Sequence, residues 1–484
     1  MPESHTSPAR RTLVTGPITS SLLRLAWPVM LSNLFHTLYN LVDTLWLGRL
    51  GTAYVAAPGI SWPVIFMGIS IGAGATVAGT ALVAQYTGAG RPREADRAAG
   101  QVFAFTGLLA FVLAGVGAAA AHWILSAMGA GPELLPLATT YLRTVMAGIP
   151  AVFGLFVANA LLTGIGDTVT PMRLMAVSTA LNVLLDWLLI FGIGPFPAMG
   201  VLGAAVATIS AQGSVAMFAF YLLFSGRLRV RLRLRDLRLR WASVRQIVAI
   251  GVPASLGQAG TALGFTIMTG ILARFGTPVL SAFTIGNRII SIVLMPAMGL
   301  GQATATMVGQ NLGAEQPRRA VRSAWAGMAV STAILVSAAV IVYVFRTSLV
   351  RIFLDDPEVI ALGSSMFALV ALAFPFMGIL QVCIGTYQGA GHTVYSMLFS
   401  LFRLWALRIP LVWYLGMARG MGPDGVWWAM LGSNLGASIV SLATFLTGNW
   451  KHRVIRDNPL PAQPAAPEMV ELEAPVETPS RLQR

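Results

Sequence analysis

The sequence predicts an all-α integral membrane protein with about twelve transmembrane helices in two six-helix lobes. Three observations predict this fold: the 484 residues are 56% hydrophobic and only 10% charged, long apolar runs recur along the chain, and one set of residues repeats at a fixed spacing. Soluble domains carry about 25% charged residues, so this composition leaves too few polar groups for a water-facing surface. Runs of about twenty unbroken apolar residues favour helices over the alternating strands of a β-barrel.

Twelve apolar segments are predicted to span the membrane, and basic residues gather on one side of them. The segments are 21–47, 54–83, 97–125, 137–163, 171–192, 199–224, 244–273, 277–309, 320–345, 358–388, 395–416 and 424–448. Lys and Arg concentrate near the termini and after the even-numbered segments, so the positive-inside rule places both termini in the cytoplasm, with the protein in the cytoplasmic (inner) membrane. Because the arginines lie between apolar spans, the net charge of +14 does not indicate nucleic-acid binding.

A repeat with an offset of 225 residues relates the two halves of the chain. The matched pairs include Pro28 with Pro253, Val83 with Val308, Gln85 with Gln310, Gly88 with Gly313, Pro92 with Pro317, Gly164 with Gly389 and Gly166 with Gly391. An even number of spans in each half means that both halves enter the membrane from the same side. Such parallel repeats are typical of transporters that bind their cargo between or within two rocking lobes.

The predicted organisation follows from this repeat. A cytoplasmic tail (1–20) precedes an N-lobe (21–224), a basic linker (225–243), a C-lobe (244–448) and a second cytoplasmic tail (449–484). The linker alternates arginine with apolar residues and is expected to lie on the anionic inner leaflet, which makes membrane lipids a partner. The last tail is rich in Pro, Ala and Glu and is expected to be disordered. The single cysteine, Cys383, excludes a disulfide framework, and a monomer is expected.

Two acidic residues, Asp43 and Asp186, lie well inside apolar spans. A carboxylate at such a position costs about 2.5–3.5 kcal/mol or more and usually marks an ion path. Asn40 shares a helix face with Asp43, and Asn182 shares one with Asp186. Counted along their helices at about 1.5 Å per residue, Asp43, Asp186 and Thr208 all fall in the outer half of the bilayer. These side chains are therefore expected to meet in one site.

This set of groups suits a monovalent cation. Two carboxylates, an amide oxygen and a hydroxyl are suitable ligands for Na⁺, and two desolvated carboxylates close together also favour the uptake of H⁺. The residues alone leave both ions open, and no resident cofactor is expected. Adding 225 to Asp43 and Asp186 gives Met268 and Leu411, so ion coupling is predicted in the N-lobe only.

Proline and arginine residues inside the spans give two further expectations. Pro28 and Pro253 interrupt equivalent helices, and proline favours a kink there. The kink is either a static bend or one that changes when Asp43 is neutralised. Arg403 and Arg408 are expected to reach toward the membrane surface or to pair with backbone carbonyls rather than to contact cargo.

These motifs together resemble the multidrug and toxic compound extrusion (MATE) family. The motifs that carry the resemblance are Pro28 with Asp43, Val83-Ala-Gln85 with Gly88-Ala89, Gly164-Ile-Gly-Asp167, Asn182 with Asp186, and Met307-Val-Gly-Gln310-Asn-Leu-Gly313-Ala314. They cover nearly all of the chain outside the tails. The carboxylate pair resembles the branch that includes archaeal and DNA-damage-inducible members.

The resemblance implies a function and a set of site residues. The function is secondary active efflux: cationic or amphipathic organic compounds are exchanged for H⁺ or Na⁺ by alternating access. By this likeness Asp43, Asn182, Asp186 and Thr208 form the cation site. Tyr39, Asn159 and Met175 match positions that line the substrate cavity.

Two other functions are compatible with parts of the sequence. A flippase for a lipid-linked sugar or cell-wall precursor would share the two-lobe plan, but its large anionic cargo would require several arginines at membrane depth. An intramembrane aspartyl protease would use two aspartates, and Gly164 to Asp167 contain a GxGD string. Because Asp167 falls in a predicted inner loop and its repeat partner is His392, a transporter that is not an enzyme is favoured.

Overall fold

The computed structural model describes residues 13–193 and 195–455. The compact unit extends to Val454. The predicted disorder of the C-terminal tail falls on residues outside this described part, as does most of the predicted N-terminal tail.

Twelve long helices form the described part of the chain. They are α1 Ile18–Gly48, α2 Thr52–Gly88, α3 Pro92–Ala127, α4 Leu134–Gly164, α5 Val169–Phe191, α6 Val201–Ser225, α7 Trp241–Ala273, α8 Thr277–Gly313, α9 Pro317–Val344, α10 Pro357–Ala390, α11 Thr393–Ala418 and α12 Gly422–Thr447. A short helix, Arg346–Arg351, follows α9. A 3₁₀ turn at Ala371–Ala373 interrupts α10, and α11 contains two π-helical turns, Phe402–Arg408 and Val412–Ala418.

Eleven of these described helices are long and apolar enough to cross a membrane. The remaining helix, α1, is 31 residues long, but its polar residues lower its hydropathy. Those residues include Asn33, His36, Asn40 and Asp43. The helix that deviates from a simple membrane span thus carries Tyr39, Asn40 and Asp43 of the predicted site.

The helices pack as two similar lobes. In the N-lobe, α1–α6, helix α4 packs on α2 and α3, and α5 packs on α1 and α6. In the C-lobe, α7–α12, the equivalent helices make the equivalent contacts: α10 packs on α8 and α9, and α11 packs on α7 and α12. Between the lobes, α1 lies on α8 and α2 lies on α7 and α8. The sequence-predicted fold class is therefore confirmed.

The basic linker packs on the N-lobe. Val230 and Leu232 are buried, whereas the arginines on either side are largely exposed, which explains the alternating sequence. Gln101 of α3 donates to the carbonyl oxygens of Asp236 (2.6 Å) and Arg238 (2.8 Å). These contacts attach the linker to the first turns of α3. Contact of the arginines with lipid stays a prediction.

Two glutamines join the lobes at the end of the bundle where the described chain starts and finishes, which we call the termini end. Gln85 of α2 donates to the carbonyl oxygens of Gly389 (3.2 Å) and Ala390 (3.0 Å) in α10. Its repeat partner, Gln310 of α8, donates to the carbonyl oxygen of Gly164 in α4 (3.0 Å). Both glutamines are completely buried. The repeat therefore produces a pair of symmetric hydrogen bonds that closes this end.

Small residues make this closure possible. A Cβ atom at Gly88 would overlap the backbone of Gln310, and one at Gly313 would overlap the backbone of Gln85. The two helices α2 and α8 therefore touch backbone to backbone, as small residues allow in membrane interfaces.

The chain segments next to α1 and α12 complete the closure. Leu13 packs against Gly166, where the backbone is left-handed with φ +85°. Val454 packs against the repeat partner Gly391, with φ +82°. The backbone N–H of Val454 also donates to Gln85 (2.9 Å). Glycine is the residue that tolerates this backbone conformation, which explains why the repeat keeps it at both turns.

We expect Gly88→Ala and Gly313→Ala to destabilise the protein, because each added methyl group overlaps a backbone that cannot rotate away. Overpacking of this kind costs about 1–3 kcal/mol, so the apparent midpoint of thermal unfolding, followed by tryptophan fluorescence in detergent, should fall. The control is Gly107→Ala in α3, where nothing lies within 4 Å of the new methyl group. Equal midpoints for all three variants would contradict the close contact.

Candidate functional site

The two intramembrane aspartates meet inside the N-lobe. Asp43 projects from α1 and Asp186 from α5, and their carboxyl groups lie close enough to interact with each other. Asp186 is completely buried, and so is Asn182, one turn before it on α5. The sequence-based expectation that both acids share one site agrees with this geometry.

These groups have no fixed partner among the described residues. Neither oxygen of Asp186 and neither polar atom of the Asn182 amide makes a hydrogen bond within the described part, and Oδ1 of Asp43 is also buried without one. The ion pairs found in the described part do not include either aspartate. Since unpaired carboxylates are expensive to bury, this pair is costly to hold with both groups charged.

Hydroxyl groups from two more helices surround the carboxylates. Tyr39 of α1 donates a hydrogen bond to Thr208 of α6 (2.7 Å). Tyr39 also lies close enough to Asp43 and Asp186 to interact with their charges, as does Tyr141 of α4. Four helices thus contribute to the cluster. Sequence reasoning missed Tyr141, because a tyrosine in an apolar span has no local signal that distinguishes it from a packing residue.

Asn40, which was also predicted at the ion site, turns toward its own helix. Its amide nitrogen donates to the carbonyl oxygen of His36 (2.7 Å) and lies 3.2 Å from Nδ1 of the same histidine. The structure therefore brings Asp43, Asn182 and Asp186 together. Thr208 is linked to this group through Tyr39, whereas the amide nitrogen of Asn40 is hydrogen-bonded to His36, one turn before it on α1.

A separate cavity of about 260 Å³ lies where helices of the N-lobe and the C-lobe meet. Six helices line it: α1, α2, α4, α5, α8 and α10. Its polar lining residues are Ser32, Asn33, His36, Thr76, Thr80, Asn159, Thr163, Thr168, Gln302 and Gln388. Asn159 and Met175, two of the three predicted substrate residues, are on this wall, and Oδ1 of Asn159 is buried without a hydrogen-bond partner among the described residues. Tyr39, the third, belongs to the carboxylate cluster instead.

Helix α1 connects the cavity with the carboxylates. Asn33 and His36 line the cavity, whereas Tyr39 and Asp43, one to two turns further along, belong to the cluster. The rings of His36 and Tyr39 are 6.0 Å apart. A change in the bend or position of α1 would therefore affect both the cavity and the carboxylate cluster.

The proline that was predicted to bend this helix lies inside it. Pro28 is part of the continuous helix α1, and Pro253 is part of α7. The hydroxyl of Ser32 donates to the carbonyl oxygen of Pro28 (2.9 Å). Whether neutralisation of Asp43 changes the bend stays a prediction.

The contact between the lobes at the termini end also borders the cavity. Gly389 lines the cavity and also accepts the hydrogen bond from Gln85. The cavity is thereby separated from the termini end of the bundle.

The described residues contain no group of three or more His, Cys, Asp or Glu side chains that would hold a metal ion. The Na⁺ site that the sequence predicts at Asp43, Asn182, Asp186 and Thr208 stays a prediction.

Comparison with known proteins identifies the fold and the family. The profile of the MatE family matches the chain twice, over residues 28–188 and 253–414, so both halves of the repeat are recognised separately. A solved structure described as the outward-facing conformation of a multidrug resistance MATE family transporter of the MOP superfamily superposes with a TM-score of 0.86 at 24% identity, covering 91% of this chain and 98% of that one.

Curated relatives align along almost the same length. The probable multidrug resistance protein NorM of Thermotoga maritima is 29% identical over 442 residues, which is 90% of this chain and 94% of that protein. The multidrug resistance protein PmpM of Pseudomonas aeruginosa is 29% identical over 437 residues, 87% of this chain and 89% of that protein. The resemblance to one branch of the family stays a prediction. Because the family profile covers most of both lobes, the chain belongs to the MatE family of membrane transporters and is not an enzyme.

Proposed function

We propose that the protein is a multidrug exporter of the cytoplasmic membrane, which exchanges cationic or amphipathic organic compounds for H⁺ or Na⁺. The observation that carries ion coupling is the pair Asp43 and Asp186, which has buried carboxyl oxygens and lacks a fixed cationic partner among the described residues. The names of the relatives NorM and PmpM, both multidrug resistance proteins, support the class of cargo.

The position of the cavity supports a mechanism of alternating access. Gln85 and Gln310 hold the lobes together at the termini end, which the basic loops assign to the cytoplasm. In this state cargo reaches the cavity from the opposite side of the membrane. Rocking of the lobes would break these hydrogen bonds and open the cavity to the cytoplasm.

Binding of the ion and of the cargo is linked through α1. When the carboxylates are charged, the buried pair favours an arrangement that admits a cation or water. When they are neutralised, the same groups tolerate tighter packing. A ligand shifts such an equilibrium by the difference between its affinities for the two states, and α1 carries residues of both the ion cluster and the cavity.

The cavity wall favours organic cations over anionic cargo. None of the described residues that line it is Lys or Arg, and the wall contains amide, hydroxyl and imidazole groups beside Met175 and Phe156. A lipid-linked sugar phosphate would bring negative charge toward the aspartates. This arrangement therefore supports efflux of cations rather than the flippase alternative.

The GxGD string has a structural explanation. Oδ1 of Asp167 accepts a hydrogen bond from the backbone N–H of Thr170 (3.0 Å), and Oδ2 accepts one from the Thr170 hydroxyl (2.7 Å). Such contacts cap the first turn of a helix, here α5. The carboxylate of Asp167 thus accepts hydrogen bonds at the start of α5 and is not paired with Asp43 or Asp186.

Asp43→Asn and Asp186→Asn should each slow ion-driven dye efflux about tenfold or more, because each removes a charge that the coupling ion neutralises. The measurement is efflux of a cationic dye from proteoliposomes under an imposed proton or sodium gradient. The matched control is Asp355→Asn, whose carboxylate is 84% exposed in an ion pair with Arg351 and should leave the rate unchanged. Ion coupling at this pair is wrong if both site variants match the parent under both gradients.

Thr208→Val should slow the same transport roughly fivefold, because Tyr39 loses the acceptor of a hydrogen bond that contributes about 1 kcal/mol. A larger loss under the sodium gradient than under the proton gradient would identify Thr208 as a sodium ligand. Thr44→Val is the control, since the Thr44 hydroxyl bonds the carbonyl of Asn40 in its own helix. An effect of Thr208→Val no greater than that of Thr44→Val would remove Thr208 from the site.

A further inference from the structure

The C-lobe buries two arginines near the middle of α11. Arg408 is only 3% exposed, and Arg403 is partly buried one and a half turns before it. Arg408 lies ten residues before the end of the helix at Ala418, well inside α11. The expectation that these side chains reach the membrane surface is therefore wrong for Arg408.

The guanidinium groups find neutral partners and leave donors unused. Nε of Arg408 donates to the Ser433 hydroxyl (3.0 Å), and Nη1 of Arg403 makes a long contact with Oδ1 of Asn434 (3.5 Å). Nη2 of Arg408 and Nε of Arg403 are buried without an acceptor among the described residues. The pairing with backbone carbonyls that the sequence suggested is not observed for either side chain.

No carboxylate of the described part forms an ion pair with either arginine. The charged group that Arg408 does interact with is Arg403 itself. A guanidinium group stays protonated in proteins, and like charges at close range repel each other. Two such groups buried together are costly unless an anion accompanies them.

The repeat places these arginines where the N-lobe has its carboxylates. Ser433 is the repeat partner of Thr208, while Leu407 and Leu411 replace Asn182 and Asp186. Arg408 donates to Ser433 just as Tyr39 donates to Thr208. The same part of the fold is thus acidic in one lobe and basic in the other.

The backbone of α11 is unusual at the same place. Phe402–Arg408 is a π-helical turn that contains both arginines. Such turns are rare and frequently occur at functional sites. Next to them, Trp405 is 40% exposed and its indole N–H donates to the carbonyl oxygen of Gly260 in α7 (2.8 Å). Trp405 therefore ties this turn of α11 to α7.

We propose that Arg403 and Arg408, with Ser433 and Asn434, form a binding site in the C-lobe for the carboxylate or phosphate group of an amphipathic organic anion. Guanidinium groups bind both oxyanions through paired, charge-assisted hydrogen bonds. The unused donors of both arginines supply these bonds, and the apolar residues around them in α11, such as Leu404, Leu407 and Leu411, suit an apolar body. The site is separate from the carboxylate cluster and does not depend on the proposed cation exchange.

Equilibrium binding of 1-naphthoate to the purified full-length protein in zwitterionic nanodiscs tests this site. The neutral 1-naphthamide is the matched probe, since it keeps the ring and removes the charge. We expect naphthoate to bind about tenfold or more tightly than the amide, because the arginines recognise its charge. Equal affinity for the two probes would overturn the proposal.

Charge-removing variants locate the binding. Arg403→Gln and Arg408→Gln should each weaken naphthoate binding about tenfold or more, whereas Arg351→Gln, at an exposed position of the same lobe, should leave it unchanged. Asp43→Asn should also keep naphthoate binding, which separates this result from any failure of ion coupling. Unchanged affinity in both site variants would place the probe elsewhere and refute the site.

A stability measurement distinguishes binding from a structural role. Without ligand, Arg408→Gln should unfold at the same temperature as the parent or higher, because a buried unpaired charge is gone. Naphthoate should raise the unfolding midpoint of the parent but not that of the variant. If the variant unfolds earlier and naphthoate stabilises both proteins equally, Arg408 is structural and the proposal fails.

A lipid comparison identifies the source of the anion. The binding is repeated in nanodiscs that contain anionic phosphatidylglycerol. Loss of naphthoate binding there supports the site with a lipid phosphate as its occupant, and retained binding supports it with a soluble oxyanion.

Discussion

The burial of charge in an apolar environment is the constraint on which the polar architecture of this protein depends. Asp43 and Asp186 are held close together with Asp43 half-buried and Asp186 fully buried, and the described residues supply no cation to neutralise them. Such a pair is costly to bury while both groups are charged. Four helices, α1, α4, α5 and α6, contribute side chains to this cluster. The charge of the two carboxylates therefore affects four of the six helices of the N-lobe.

The repeat supplies the scaffold, and divergence within it supplies the chemistry. The symmetric contacts of Gln85 and Gln310 show that both halves still pack alike at their closed end. The polar sites have not stayed alike: where the N-lobe has Asp43 and Asp186, the C-lobe has Met268 and Leu411, and Arg403 and Arg408 lie near Leu411 in the sequence. A shared fold thus holds sites of opposite charge, which agrees with the general rule that function belongs to sites rather than folds.

At the closed end of the bundle, the two lobes are joined by close backbone contacts and by hydrogen bonds from two glutamines. Glycines at positions 88 and 313 let α2 and α8 touch along their backbones, and the side-chain amides of two glutamines cross the interface. Each contact is modest, since a neutral hydrogen bond contributes about 1 kcal/mol.

The sequence by itself determined the helices, the repeat and the buried acids. Long apolar runs must form helices in lipid, and an acid such as Asp186 within a run is visible without neighbours. Only the tertiary structure decided the partners of each polar side chain: Tyr141 joins the carboxylates, Asn40 bonds its own helix, and Arg408 bonds Ser433 instead of reaching the surface. The physical reason is that a hydrogen-bond partner depends on the rotation and depth of another helix, and these are set by packing across the whole bundle, which no local pattern records.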